Sequence, residues 1–197
     1  MRPPGPGVWV TGPSRSGTSM VAGLFAEHGV FFGRTVEGDE HNEHGYFEHP
    51  ELVSRVESRI WADWPEAWWR TLEGEGFERG GYWGVKRGRD AWPWIRELGP
   101  ELIVVCRRPV DETVRSRRRR WPRKRAPRGE VLLARKAFDK IGAQAGICPM
   151  LTVNTERVVA GDYRRIATVF KRLGLRFDPA IAREWIDPGI WNRGSTQ

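Results

Sequence analysis

The apolar positions of this chain fall into two kinds of run, and their alternation sets the expected fold. Short uninterrupted runs mark buried strands: Val8-Trp9-Val10-Thr11 stops at Gly12, and Leu102-Ile103-Val104-Val105-Cys106 is the clearest of the set. Residues 82–85 and 150–153 are two further short strands. Between them the apolar residues recur at three and four positions, as on one face of a helix. Met20, Val21, Leu24 and Phe25 do so within residues 17–28, which Gly29 closes, and Leu52, Val53, Val56 and Ile60 within 50–61.

Later segments repeat the alternation. Pro109 suits a first helical turn and opens a helix to about residue 120. Two prolines in 121–128 break it. Residues 131–143 and 162–173 are helical, the second closed by Gly174. Asp178-Pro179 opens a last helix to about residue 185. Residues 31–49 and 71–81, rich in Gly and acids, read as loops. Strands alternating with helices predict an α/β fold: a single domain over 1–197 with a parallel β-sheet flanked by helices, after a flexible N-terminus over residues 1–7.

Composition refines this picture without changing it. With 39% apolar and 29% charged residues the chain is globular in kind, and no stretch approaches the roughly 18 apolar residues of a membrane span. The N-terminus has no apolar segment leading to a cleavage site, so no signal peptide is read. Two cysteines, Cys106 and Cys148, make no disulfide framework and fit a reducing cytoplasm. The net charge of +8 is local: residues 115–128 hold nine Arg or Lys and no acid, and the remainder sums to −1. Eleven tryptophans are many for this length, and Trp61, Trp64, Trp68 and Trp69 share one stretch, expected in part to pack the core and in part to line an apolar pocket.

The sharpest chemical signal is Gly12-Pro13-Ser14-Arg15-Ser16-Gly17-Thr18-Ser19, lying between a strand and a helix. Glycines let the backbone turn tightly towards an anion, and successive N–H groups with the helix N-terminus supply positive potential. The spacing is that of the nucleotide-triphosphatase loop, but Thr18 stands where its lysine belongs, which argues against ATP or GTP hydrolysis. A cation sits inside the loop instead, at Arg15, whose planar fork suits a terminal anionic group.

Arg15-Ser16-Gly17-Thr18-Ser19 resembles the 5′-phosphosulfate loop of sulfotransferases that use 3′-phosphoadenosine 5′-phosphosulfate (PAPS). Further segments are similar to that family in the expected order, over roughly residues 8–193: Asn42-Glu43-His44-Gly45-Tyr46-Phe47-Glu48, then Trp83-Gly84-Val85-Lys86, then the strand at 102–106 followed by Arg107-Arg108-Pro109, and the elements around Thr155-Glu156, Phe170 to Leu175, Phe177-Asp178 and Ile186 to Arg193. The resemblance implies a P-loop nucleoside-triphosphatase-like sulfotransferase fold, with PAPS as co-substrate and no metal. It implies that Ser14, Arg15, Ser16, Gly17, Thr18 and Ser19 hold the 5′-phosphosulfate, and that Arg107 and Arg193 belong to the nucleotide site. The family's 3′-phosphate serine falls eight residues after its arginine, which is Arg115 here. Ser116 comes one residue late, about a 100° turn on a helix, so both are candidates. Arg15 and Lys86 are expected to stabilise charge on the leaving oxygen.

The acceptor's proton needs a base. Cytosolic animal enzymes place a histidine two residues after the lysine, where this chain has Gly88. Glu48 is the candidate, with Glu37, His44 and His49 as competitors, and a loop-holding carboxylate as the structural alternative. The four histidines form no convincing ligand set, so no metal is expected. The acceptor is expected to be a small molecule or glycan. The basic run reads as a solvated segment beside the nucleotide or an acidic acceptor rather than a nucleic-acid interface, since Trp121 is its only aromatic and no recognition motif accompanies it. Two other readings stand beside the sulfotransferase: a small-molecule phosphotransferase on the same fold, and a basic nucleic-acid-binding protein.

Overall fold

Four strands form one sheet with every neighbour parallel: β1 Gly7–Thr11, β2 Trp83–Lys86, β3 Leu102–Arg107 and β4 Met150–Asn154, in the order β2-β1-β3-β4. This computed structural model describes residues 3–39, 42–60, 62–120, 128–144 and 148–186, with the backbone alone over 140–144. All four strands lie where the apolar runs place them. They read as continuous apolar runs, rather than alternating ones, because helices cover both faces.

The pleat divides the strand residues between two cores. Val8, Val10, Leu102, Val104, Cys106 and Val153 face one side. There α1 (Thr18–Glu27), α7 (Thr155–Val159), α8 (Arg164–Leu173) and α9 (Pro179–Trp185) cover them. Phe25 of α1 stacks on Phe170 of α8 with ring centres 4.5 Å apart. Trp9, Trp83, Val85, Ile103 and Val105 face the other side, under α2 (Pro50–Ser58), α3 (Glu66–Gly74), α4 (Trp92–Leu98) and Phe138 of α6 (Arg128–Gln144). Each fully buried side chain of this size contributes about 1.5–3 kcal/mol, so the two cores together order the sheet.

Local signals set most helix ends. The Asp178 side chain accepts from the Ala180 N–H at 2.7 Å and caps α9. Gly174, at φ 83°, closes α8 in the left-handed conformation that glycine adopts freely. Where the sequence predicts a loop over 71–81, α3 continues to Gly74. Trp68, Trp69 and Leu72 recur at helical spacing, and all three are buried against the sheet. Trp68 and Trp69 are therefore core residues rather than pocket lining. Trp64 is half-buried, with its Nε1–H donated to the Trp94 carbonyl at 2.9 Å, and Trp61 lies outside the described residues. The helices α3, α4 and α7 have no counterpart in the sequence reading; the last two, at seven and five residues, are too short for a periodic signal.

The chain leaves β1 for β2 on one side, then crosses back to β3 on the other. Loops after β1 and β3 therefore diverge at the carboxyl edge of the sheet, the crevice where open α/β sheets bind ligands. The phosphate loop, Arg107 and Arg108 all lie there. Among the described residues no helix is long and apolar enough to cross a membrane.

Candidate active site

Thr11 ends β1 with its hydroxyl donated to the Arg87 carbonyl at 2.8 Å, tying the base of the phosphate loop to the end of β2. Gly12 follows because nothing larger fits: a Cβ there would lie 2.6 Å from both the Cys106 carbonyl oxygen and Ser16 Oγ. The Ser16 N–H then donates to the Pro13 carbonyl at 3.1 Å, closing a tight turn. Arg15 sits in the left-handed region at φ 69°, which costs a non-glycine residue about 1–2 kcal/mol. Gly17 follows in the same region at φ 86° as the residue before α1. No side chain caps α1, so its first N–H groups remain available to an anion. Ser16 is buried, and its Oγ has no hydrogen-bond partner among the described residues. A buried orphan hydroxyl, an uncapped helix start and a cradle with no room for a Cβ together fit a bound oxyanion. Ser14 is exposed and Thr18 half-buried, while the Ser19 hydroxyl donates to the Tyr46 carbonyl at 3.4 Å.

Arg15 turns its guanidinium to α5 (Val110–Arg120), where Nε donates to Ser116 Oγ at 3.0 Å. Burial pushes the Arg15 pKa down, and Arg119 and Arg120 add to this, partly offset by Tyr46 and Asp39. This bond separates the two phosphate candidates of α5. Ser116 is buried beside the loop. Arg115, one residue and about 100° away, is mostly exposed and pairs with Glu112 at 2.7 Å. Of these two candidates, Ser116 is thus the one in contact with the phosphate loop.

A similar division separates Arg107 from Arg108. The pleat of β3 sends Arg107 to the face under α6, where its guanidinium pairs with Asp139. Its carbonyl, with that of Ser16, accepts from the Thr155 hydroxyl at 3.0 and 2.9 Å. Arg108 is buried with its guanidinium 3.6 Å from Glu112. Burial pushes its pKa down too; Glu112 and Glu156 oppose this, while Arg119 and Arg15 reinforce it. The sequence offered no signal for Arg108 beyond its adjacency to Arg107, and none for Thr155 as the strut between the phosphate loop and β3.

Glu48 lies at the end of β2, between two cations. Its Oε1 is 2.7 Å from Lys86 Nζ and its Oε2 2.8 Å from Arg87 Nη1. Burial pushes the carboxyl up, but Lys86 and Arg87 outweigh it and hold Glu48 below the ordinary carboxylate value. The buried Lys86 has its own pKa pushed down by desolvation, with Glu48 pulling the other way. Its ammonium is 5.8 Å from the centre of the Tyr46 ring. The Tyr46 hydroxyl donates to Asp39, at 2.9 and 2.8 Å to its two oxygens, and Asp39 pairs with Arg120 at 3.2 Å. Tyr46, Glu48 and Asp39 are thus tied to α1, to the end of β2 and to α5 respectively.

The competing bases are placed differently. His49 is buried, with Nδ1 accepting from the Glu51 N–H at 3.2 Å and Nε2 3.0 Å from Glu75. Both ring nitrogens are thus occupied, Nδ1 by the start of α2 and Nε2 by Glu75 at the end of α3. His44 is exposed and packs against Trp185, and Glu37 is exposed. The described part of the basic run is largely compensated: besides Arg115 and Arg120, Arg117 pairs with Glu130 at 3.6 Å and Arg128 with Asp111 at 3.1 Å. Arg193 and residues 121–127 lie outside the described residues. Among those described, no group of three or more His, Cys, Asp or Glu is placed to hold a metal ion.

No family model and no curated protein matches this chain. Among solved structures, the sulfotransferase domain of the olefin synthase from Synechococcus PCC 7002 is similar over 100% of this chain and 90% of its own, with a TM-score of 0.58 at 15% identity. A sugar kinase from Janibacter sp. HTCC2649 is similar over 90% of this chain and 98% of its own at 15% identity, with a TM-score of 0.42, too low to bear on the fold. The chain therefore has a sulfotransferase-like fold of the P-loop type.

Proposed function

We propose that this sulfotransferase-like fold transfers a sulfuryl group from PAPS to a hydroxyl or amine of a small-molecule or glycan acceptor, releasing adenosine 3′,5′-bisphosphate (PAP). The observation that carries the reading is the phosphate loop, which has an arginine within it and no lysine after Gly17, and whose Arg15 is bonded to the buried Ser116 at 3.0 Å. A terminal anion held by a guanidinium fork and backbone N–H groups needs no lysine at that position.

The residues divide the work as follows. The N–H groups of residues 14–19, with Ser16 Oγ and Arg15, bind the 5′-phosphosulfate. Ser116 and Arg108 belong to the second phosphate of the nucleotide, while Arg107, turned to Asp139, holds the loop to β3 through its carbonyl. Arg15 and Lys86 stabilise the oxygen on which charge develops when the sulfur–oxygen bond to phosphate breaks. Glu48 accepts the proton that the acceptor gives up as its oxygen or nitrogen bonds to sulfur. Positioning and fixed charge supply most of the acceleration, as in phosphoryl transfer.

Calorimetric titration with PAP in the absence of magnesium tests the reading. The wild type is expected to bind PAP, and Arg15→Ala to bind it at least tenfold more weakly, with ATP a poor substitute. Binding of ATP with magnesium in place of PAP would overturn it in favour of a phosphotransferase. Steeply salt-dependent nucleic-acid binding that survives Arg15→Ala, without PAP binding, would instead support a nucleic-acid-binding protein.

A further inference from the structure

Glu48 presents a difficulty as a base. Both of its oxygens are occupied, each by a different cation, and a carboxylate so held takes up a proton poorly. The two cations are not alike. Arg87 is anchored: besides Glu48 it contacts Glu57 of α2 at 3.3 Å and Asp90 of the 3-10 turn Arg89–Ala91 at 3.5 Å. Its carbonyl is pinned by the Thr11 hydroxyl at 2.8 Å and by Trp9 Nε1–H at 3.1 Å. Lys86 has Glu48 as its one carboxylate partner among the described residues. Its charge is a point at the end of a flexible four-carbon stem, free to follow another anion, whereas the planar fork of Arg87 is fixed.

We propose that Lys86 is a removable clamp on Glu48 and Arg87 a permanent one, so that arrival of the nucleotide draws Lys86 away and releases one carboxylate oxygen to act as the base. The inference rests on the PAPS reading and deepens it. Lys86 is buried, and so is exchanged between anions without returning to bulk water, where the attraction would be screened. Its register partner on β1 is Val10, two residues before Gly12, which places it at the carboxyl edge beside the phosphate loop. As Lys86 turns to the oxygen leaving sulfur, Oε1 loses its cation and gains proton affinity, while Arg87 keeps Oε2 in place. The acceptor's proton passes to Oε1, the acceptor atom bonds to sulfur, and the bonding pair of the broken sulfur–oxygen bond stays on the phosphate of PAP. Arg87 is thus a positioning residue, and base activity is coupled to the presence of the donor.

Among the described residues, Lys86 and Arg87 are the charged groups that act on Glu48. Lys86 and Arg87 come from the end of β2, and Tyr46 lies on the same loop as Glu48. Glu57 of α2 and Asp90 of the 3-10 turn act through Arg87. The Cys106 thiol of β3 lies in the field of Lys86 and is kept neutral by burial, which pushes its pKa well up.

The test is a carbon-13 NMR titration of the Glu48 side-chain carboxyl, assigned by its loss in Glu48→Gln, in the wild type, Lys86→Gln and Arg87→Gln, with and without saturating PAP. In the wild type PAP is expected to raise the Glu48 midpoint by about one pH unit, a tenfold gain in proton affinity. In Lys86→Gln the midpoint is already raised and PAP adds little. In Arg87→Gln it is raised and still responds to PAP. Should Lys86→Gln fail to fold, Lys86→Arg replaces it, with the same loss of response expected from a fork that cannot swing between anions. If PAP binds but leaves the wild-type midpoint unmoved, or moves it equally without the lysine, the clamp is overturned and the PAPS reading stands. If PAP does not bind the wild type at all, the calorimetry shows it directly and both fall together.

Discussion

Arg15 Nε donates to Ser116 Oγ at 3.0 Å across 101 positions of sequence, joining the phosphate loop to the middle of α5. The bond gives the left-handed backbone of Arg15 a partner that holds its guanidinium in one orientation, and it makes a serine, rather than the arginine before it, part of the loop's surroundings.

Ser116→Ala removes the oxygen that orients Arg15 and is expected to weaken PAP binding about tenfold, ~1.4 kcal/mol, by calorimetry. Arg115→Ala breaks only an exposed pair, worth about 0–1 kcal/mol, and is expected to leave PAP affinity within about twofold. Equal losses in both variants would place the nucleotide against the exposed side of α5.

Thr155→Val keeps the shape of a buried side chain but strips the hydroxyl that meets the Ser16 and Arg107 carbonyls. Leaving buried acceptors without a donor costs about 1–3 kcal/mol. A lower melting temperature together with weaker PAP binding is expected. An unchanged melt would mean that the strut between loop and β3 contributes nothing.

Gly12→Ala places a methyl group 2.6 Å from the Cys106 carbonyl oxygen, a backbone atom with little freedom to move. The loop must shift, so loss of PAP binding is expected, even at temperatures where circular dichroism shows the variant folded. Retained PAP affinity would show that the turn is not part of the anion cradle.

Acid stability should report the Glu48 cluster. A carboxyl held below its ordinary value in the folded state, here with 4.5 as that value, stabilises the fold above pH 4.5 and loses that contribution as pH falls through the lower folded value. Burial opposes this depression and Lys86 and Arg87 produce it, so Glu48→Gln is expected to flatten the decline in melting temperature below about pH 4.5 relative to wild type. Parallel declines in both proteins would show that Glu48 is not held by its two cations in solution.

Both thiols should be sluggish in the folded protein. Burial pushes Cys148 up to about 11 and Cys106 higher still. Thiolate is the reactive form, so labelling by a disulfide reagent at pH 8 is expected to be slow until denaturant is added. Rapid labelling of one thiol without denaturant would place Cys148 in a more open setting.

The sequence by itself determined the frame of this protein. Uninterrupted apolar runs at 8–11 and 102–106, helical spacing at Met20, Val21, Leu24 and Phe25, and caps such as Asp178 and Gly174 are local signals. Each acts through backbone chemistry within a few residues, so each was legible, as was the phosphate loop that follows β1. The long-range choices were not legible. Arg107 and Arg108 are equal in sequence; the pleat of β3 sends one to Asp139 and leaves the other buried in the field of Arg15. Arg115 and Ser116 differ by one step on a helix, and the approach of α5 to the phosphate loop decided between them. Glu48 was visible as a carboxylate, but not that Lys86 and Arg87 each hold one of its oxygens from some forty positions away. His49 was visible as a histidine, but not that Glu75 and the start of α2 use both its nitrogens. A side chain's protonation and partners depend on what the fold brings within a few ångströms and on how much water it excludes, and only the packed tertiary structure sets either.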